Sequence, residues 1–113
     1  MDSFPYTISY YLTETGGKPF KDWLDGLKDI VARQKIRIRL DRVRIGNLGK
    51  NRSVGEGVYE LKIHYGPGYR VYYCLEKKTV VLLLLGGDKS SQKKDIAQAR
   101  VYLQDYKRRS SDE

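Results

Sequence analysis

Five polar side chains stand at alternate positions along two neighbouring runs rich in aromatic and β-branched residues: Glu60, Lys62, His64, Arg70 and Tyr72. The runs, residues 58–65 and 69–76, flank a Gly-Pro-Gly sequence that predicts a β-hairpin with a three-residue turn. Because alternate side chains share one face of a strand, we expect all five groups on one patch. That patch would carry a carboxylate, an amine, an imidazole, a guanidinium and a phenol.

This set of groups suits cleavage of RNA without a metal ion. The 2′-hydroxyl must lose a proton, the negative charge of the pentacoordinate phosphorane must be stabilised, and the 5′-oxygen must gain a proton. Arg70 can hold two phosphate oxygens, and Lys62 or His64, crowded by other cations, can carry protons. Which of Glu60, Lys62 and His64 is the base stays open. The alternative is a solvated strand face with ordinary cross-strand pairs.

The three-residue turn also predicts the register of the hairpin, with Tyr65 opposite Tyr69. The pairs on the polar face are then His64 with Arg70, Lys62 with Tyr72, and Glu60 with Cys74. We interpret Cys74 as a small buried hydrophobic residue. The other face is apolar or aromatic and should pack on helices: Tyr59, Leu61, Ile63, Val71, Tyr73 and Leu75.

Other classes of site find little support. The chain has one Cys and one His, which leaves no recognisable zinc site, and it lacks the glycine-rich phosphate and dinucleotide motifs. Glu60 is the only acid on the polar face, which argues against a paired-carboxylate hydrolase. We expect no metal and no cofactor. No apolar run or leader predicts a membrane span or secretion, and the single cysteine fits a reducing cytoplasm.

The segments that must position the hairpin have clear patterns in this chain of 113 residues, which we interpret as one domain. Residues 6–13 alternate as a strand, Pro19 begins a short helix ending near residues 26–28, and Asp29 caps a helix running to about Ile45. The glycine-rich residues 46–57 predict a mobile loop. Residues 79–85 predict a strand covered on both sides and central in the sheet.

Gly86 and Gly87 should end that strand, and Ser90 or Ser91 can cap a final helix with Ile96 and Ala99 on its apolar stripe. The domain then covers residues 1–109, and residues 110–113 form a frayed tail. The predicted fold class is α+β in the order β-α-α-β-β-β-α. Its small, mainly antiparallel sheet packs against a helical hairpin and a C-terminal helix.

Positive charge is concentrated in two segments, residues 28–52 and residues 88–109, which flank a nearly neutral centre. The formal net charge is +8, and residues 28–52 hold nine basic and two acidic residues, a net +7. Such a segment attracts polyanions, and we interpret it as an RNA or ribosome contact surface. Its candidate residues are Arg33, Arg37, Arg39, Arg42, Arg44, Lys50 and Arg52. The alternative for each one is a solvated helix face.

The order of elements, with Tyr-Glu-Leu-Lys-Ile at 59–63, Gly-Tyr-Arg-Val-Tyr-Tyr at 68–73 and Leu-Leu-Gly-Gly-Asp-Lys-Ser-Ser at 84–91, resembles the RelE/ParE toxin superfamily. Within it, the chain is most similar to the HigB-like group of phage-derived, or addiction module killer, proteins. The resemblance implies a RelE-like fold and a ribosome-dependent mRNA interferase, an endoribonuclease of the cytoplasm. It also implies, as partners, the ribosome with its mRNA and a HigA-like helix-turn-helix antitoxin.

The same resemblance assigns roles to single residues. Lys62 matches a strand position that serves as base or phosphate contact, and Arg70 matches the arginine that stabilises the scissile phosphate. Lys89 falls where a basic residue contacts phosphate or assists the leaving group. Glu60 replaces a lysine of the best-known members, and their tyrosine at the start of the last helix has no counterpart, so Tyr72 or His64 is its candidate replacement.

Two alternatives to an enzyme stay open at this point. One is a non-catalytic module that binds ribosomal RNA through the same charges. The other is a ParE-like gyrase inhibitor, which shares the fold without the basic catalytic set. The presence of Lys62, Arg70 and Lys89 argues against the second.

Overall fold

The structure, a computed structural model, describes residues 4–111. Over these residues the chain forms, in order, β1 (Thr7–Tyr10), α1 (Pro19–Gly26), α2 (Ile30–Arg44), β2 (Asn51–Gly55), β3 (Val58–Ile63), β4 (Tyr69–Glu76), β5 (Val80–Asp88) and α3 (Gln92–Ser111). A single 3₁₀ turn, Lys89–Ser91, leads into α3. The predicted α+β class and order of elements are confirmed, with β2 as an additional strand.

The five strands form one mixed sheet in the order β1-β5-β4-β3-β2. Only β1 and β5 are parallel within the described chain, so the sheet is mainly antiparallel, as predicted. Helices α1 and α2 cover one face and α3 covers the other. Strand β5 lies between two strands and under helices on both sides, which explains its unbroken apolar run. None of the helices in residues 4–111 has the length and apolarity needed to cross a bilayer.

The two N-terminal helices begin and end close to their predicted bounds. Pro19 occupies the first turn of α1, where its missing N–H costs no hydrogen bond. The Asp29 carboxylate caps α2 by accepting from the Ala32 N–H at 3.1 Å. The predicted stripe of α2 is buried against the sheet: Ala32, Ile36, Leu40 and Val43. This stripe packs on the predicted apolar face of the β3–β4 hairpin, but Leu75, which was predicted on that face, is 39% exposed near the end of β4 and lies outside the cluster.

The prediction of a mobile loop over residues 46–57 is wrong, because this segment contains the edge strand β2. Its residues pair with β3, and Val54 is buried beneath α3. Glu56 and Gly57 both have positive φ (55° and 86°), which is the geometry of a two-residue hairpin turn between β2 and β3. The segment was predicted as a loop because glycines lie on both sides of this short strand and dominate the local composition.

The end of β5 also differs from the prediction. The strand continues through Gly86 and Gly87 to Asp88, whose side chain, rather than that of Ser90 or Ser91, caps the next turn. The Asp88 carboxylate accepts from the Ser90 N–H at 2.8 Å. At the other end of α3, residues 110 and 111 of the expected frayed tail are helical, and residues 112 and 113 lie outside the described chain.

Candidate active site

The β3–β4 hairpin pairs Lys62 directly with Arg70, and Glu60 with Tyr72. These pairs differ from the predicted ones because the register is shifted by two residues along β4, so that Lys62 lies opposite Arg70 instead of Tyr72. Strand β3 also ends one residue before His64. The prediction that His64 opposes Arg70 is therefore wrong. Because side chains alternate between the two faces of a strand, a shift by two residues leaves each of them on its predicted face. The other four polar groups therefore still share one face of the sheet.

The shift arises in the turn. Gly66 and Gly68 both take left-handed φ values, 56° and 81°, and the Gly68 N–H donates to the Tyr65 carbonyl at 3.1 Å. The connection therefore spans residues 64–68 instead of three residues. His64 is exposed at its start, where it lines a hollow together with residues of α2 rather than the site around Arg70.

The polar face opens into a hollow of about 290 Å³ at the N-terminal end of α3, which we call the first hollow. Three predicted catalytic residues line it: Glu60, Lys62 and Arg70. Lys50 and Arg52, predicted as RNA contacts, form its outer rim with Asn51, and Gln92 of α3 closes it. A mostly basic hollow with a guanidinium at its base can bind a phosphodiester.

Glu60 and Arg70 form the buried base of the first hollow, with 3% and 4% of their surface exposed. The Arg70 Nε lies 3.8 Å from the Glu60 Oε2, and the Arg70 Nη1 donates to the Gly68 carbonyl at 2.6 Å. Glu60 also accepts from the Arg52 Nε at 2.9 Å and from the Gln92 Nε2 at 3.0 Å. These contacts hold the guanidinium of Arg70 in one place before any substrate arrives.

The same contacts determine the protonation of Glu60. Burial alone would raise the pKa of its carboxyl, but the hydrogen bonds from Arg52 and Gln92 and the charge of Arg52 outweigh it, and the pKa is lowered. Glu60 is therefore a carboxylate at neutral pH, with both oxygens engaged. It fits a residue that positions Arg70 better than a residue that exchanges protons with substrate.

A lowered pKa makes Glu60 a source of acid sensitivity. Its ionisation stabilises the fold above the ordinary pKa of 4.5, and this stability is lost as the pH falls through the lowered value. We expect Glu60→Gln to be about 1–3 kcal/mol less stable than wild type at pH 7, with the difference shrinking below about pH 4. Urea denaturation across this pH range measures it.

Glu56→Gln is the matched control, because Glu56 is exposed and its ion pair with Arg100 contributes little. It should change stability by less than about 0.5 kcal/mol at every pH. A loss from Glu60→Gln that stays constant down to about pH 3 would contradict the linkage argument.

Helix α3 covers the remainder of the polar face. Tyr72 is completely buried, its hydroxyl has no hydrogen-bond partner in residues 4–111, and burial next to the Glu60 charge raises its pKa. Cys74 is buried as predicted, and burial raises the pKa of its thiol to about 11. Tyr72 therefore lies next to Glu60 but is covered by α3, and it does not line the first hollow as a catalytic residue would.

Lys89 is exposed on the 3₁₀ turn beside the first hollow, where a Cβ on Gly68 would lie 4.0 Å from the Lys89 Cβ. It is not among the residues that line the hollow itself. The long side chain starts close to Gly68, whose carbonyl holds Arg70. Lys89 is thus placed next to the cluster rather than inside it.

The predicted RNA contacts separate into groups. Lys50 and Arg52 belong to the first hollow, whereas Arg39 and Arg42 line the hollow that contains His64. The others lie elsewhere on α2: Arg33 is half-buried, Arg37 lies 3.8 Å from Asp25, and Arg44 lies 3.3 Å from Asp41.

Sequence reasoning missed Gln92 and Asn51. Gln92 stands at the start of the last helix, close to the place where the resembling toxins carry a tyrosine that this chain lacks. The missing tyrosine could have directed attention to this position. Asn51 was assigned to a loop. In residues 4–111 no group of three or more His, Cys, Asp or Glu side chains is placed to hold a metal ion.

Comparisons with known proteins agree with this architecture. Residues 22–107 match the family model described as phage derived protein Gp49-like (DUF891). A Haemophilus influenzae protein described as "Uncharacterized protein" is 46% identical over 86 residues, which are 76% of this chain and 87% of that protein. A mutant of the E. coli toxin RelE in the free state superposes with a TM-score of 0.62 at 19% identity, covering 86% of this chain and 95% of that one.

The structural match shows a shared fold, and the sequence matches show the family. Both confirm the resemblance that the strand motifs predicted. The chain therefore belongs to the phage-derived Gp49-like family, and it has the RelE toxin fold.

Proposed function

We propose that this protein is the toxin of a toxin–antitoxin pair and a metal-independent endoribonuclease that cuts translated mRNA on the ribosome. The observation that carries the proposal is the pairing of Lys62 with Arg70 in the first hollow, with Arg70 fixed from behind by Glu60. Membership of the Gp49-like family and the RelE fold support it.

In the proposed reaction the 2′-oxygen of the substrate attacks the neighbouring phosphorus, and the bond to the 5′-oxygen breaks. Arg70 binds the non-bridging oxygens and stabilises the charge that develops on them. Because this guanidinium is already held at Gly68 and beside Glu60, little reorganisation accompanies the transition state. The products are a 2′,3′-cyclic phosphate and a 5′-hydroxyl.

Two protons must move in this reaction. Lys62 and Lys50 both line the hollow, and neither has a carboxylate oxygen within 4.0 Å in residues 4–111; Lys62 is the one directly opposite Arg70, so we assign it the contact with the 2′-hydroxyl. Lys89, at the margin, is assigned to the leaving 5′-oxygen. Glu60 is a positioning residue in this scheme, since its oxygens are occupied by Arg52 and Gln92.

The proposed partners follow from the same site. The basic rim and α2 would bind ribosomal RNA and message in the cytoplasm through their phosphates. A HigA-like helix-turn-helix antitoxin with an acidic surface would neutralise the toxin by covering these charges.

The chemistry of the cut ends tests the proposal. Message translated by purified ribosomes with the protein should be cut, and the new downstream fragment should carry a 5′-hydroxyl, detectable because a polynucleotide kinase labels it without prior phosphatase treatment. A 5′-phosphate would indicate attack by water at a metal site and would contradict the mechanism. Absence of cutting would contradict the activity itself.

A non-catalytic ribosomal RNA binder is the second candidate function, favoured by the basic residues of α2 that lie away from the first hollow. In that case inhibition of translation would follow ribosome affinity in every variant. Under the enzymatic proposal the two separate, as the Arg70 variants in the Discussion are designed to show.

A further inference from the structure

A second hollow, of about 320 Å³, lies between α2 and the end of β3. Its polar wall consists of three residues on successive later turns of α2, one residue of β3 and the residue that follows β3: Lys35, Arg39, Arg42, Lys62 and His64. Ile38 and Ile63 supply an apolar wall, and Ile38 is 52% exposed. The volume is at the lower limit of about 300–1,000 Å³ typical of ligand sites.

The positive charges of the second hollow are not neutralised by the protein. Within residues 4–111, none of its four Lys and Arg side chains has a carboxylate oxygen within 4.0 Å. The Arg39 guanidinium donates to the Lys50 carbonyl, and its pKa is lowered by burial and then by the charge of Arg42. Four crowded cations favour binding of an anion.

Lys62 connects this site with the proposed chemistry, because it lines both hollows. A single anion bound at Arg70 would leave the second hollow empty. A flexible polyanion with regularly spaced phosphates would fill both, passing Lys62 between them. The exposed apolar wall adds a surface on which a base or ribose can pack, which an inorganic anion would not use.

We propose that the second hollow binds the phosphate and base of a nucleotide next to the cleavage site on the same single RNA strand. This inference rests on the proposed function, and it assigns Lys35, Arg39, Arg42 and His64 to substrate binding instead of catalysis. It implies that the substrate must extend beyond the scissile phosphate on the side of α2.

A binding experiment tests this inference separately from cleavage. The probe is a fluorescent 2′-O-methyl oligouridylate of about six nucleotides, which lacks the hydroxyl needed for cutting. Lys35→Gln/Arg42→Gln should weaken its binding about 5–50-fold in fluorescence anisotropy and reduce the magnitude of the salt slope by about 0.7, for the one phosphate that the second hollow binds. Both side chains are exposed, so the variant should fold as wild type.

Arg37→Gln/Arg44→Gln is the matched control, because it removes the same charge from the same helix at positions beside Asp25 and Asp41, outside the second hollow. It should weaken binding less than about threefold. Equal losses in the two double variants would overturn the inference, as would an effect on ribosome or antitoxin binding alone.

His64 is the only histidine of the chain, so its ring gives a unique NMR signal. The signal should shift as the oligouridylate is added and saturate at the affinity found by anisotropy. An unmoved signal at saturation would also overturn the inference. If the protein binds the strand in this way but cuts no message, the proposed function fails and the binding site stands.

Discussion

Arg70→Ala should reduce cleavage of translated message by at least about 10²–10³-fold. The guanidinium is buried at the base of the first hollow, held by the Gly68 carbonyl and placed 3.8 Å from Glu60, so under the proposed mechanism it would bind the phosphate in a fixed orientation. Removing such a preorganised donor eliminates stabilisation that exists mainly in the transition state. Primer extension on message translated by purified ribosomes measures the loss.

Affinity for the ribosome should change by only a few fold in the same variant, because Arg70 is one phosphate contact among many. Arg70→Lys separates charge from geometry: it retains the charge beside Glu60 but lacks the planar fork, and we expect most of the activity to be lost. Arg108→Ala, at the exposed C-terminal end of α3 beside Asp105, is the control and should cut like wild type. Cleavage by Arg70→Ala at the wild-type rate would remove the residue from the mechanism.

The largest expected effect on stability comes from Gly86→Ala. A Cβ at this position of β5 would lie 2.1 Å from the Trp23 Cε3 and 2.3 Å from the Cζ3. The indole cannot move away easily because it packs against Phe20 and Tyr69, with ring centroids 5.7 Å and 6.1 Å distant. We expect a loss of about 2–4 kcal/mol, a large fraction of the stability of a small domain.

Thermal unfolding should show a fall of at least about 8 °C in the midpoint for Gly86→Ala. Gly26→Ala is the matched control, since Gly26 ends α1, has no atom within 4 Å of the added Cβ, and should gain up to about 1 kcal/mol. If both variants unfold at the wild-type temperature, Trp23 is not packed against β5 as described.

The helices and the apolar strands could be predicted because burial alone produces their patterns. The stripe of α2 from Ala32 to Val43 follows a helical period, and residues 80–85 are apolar because helices cover both faces of β5. The face shared by Glu60, Lys62 and Arg70 was predictable for a similar reason. The assignment of side chains to the two faces of a strand stays correct when the predicted register is wrong by two residues.

Two kinds of feature were not predictable: the exact geometry of a turn, and contacts between residues distant in sequence. The turn at residues 64–68 takes its length from the φ values of Gly66 and Gly68, which composition does not specify. Strand β2 forms because its backbone can hydrogen-bond to the free edge of β3. Gln92 contacts Glu60 only because α3 packs against the sheet. Gly86 and Gly87 looked like a strand end, whereas they admit Trp23 and Asp95 close to the sheet.

The parallel pairing of β1 with β5 joins the first strand of the chain to the last, with Thr7 opposite Val80. During synthesis β1 leaves the ribosome long before its partner, so the sheet stays incomplete until β5 emerges, and Gln92 follows later still. The first hollow therefore cannot form before the start of α3, which supplies Gln92, has emerged. Under the proposed function, a chain that has not yet reached α3 lacks a complete site and would not cut message on the ribosome that makes it.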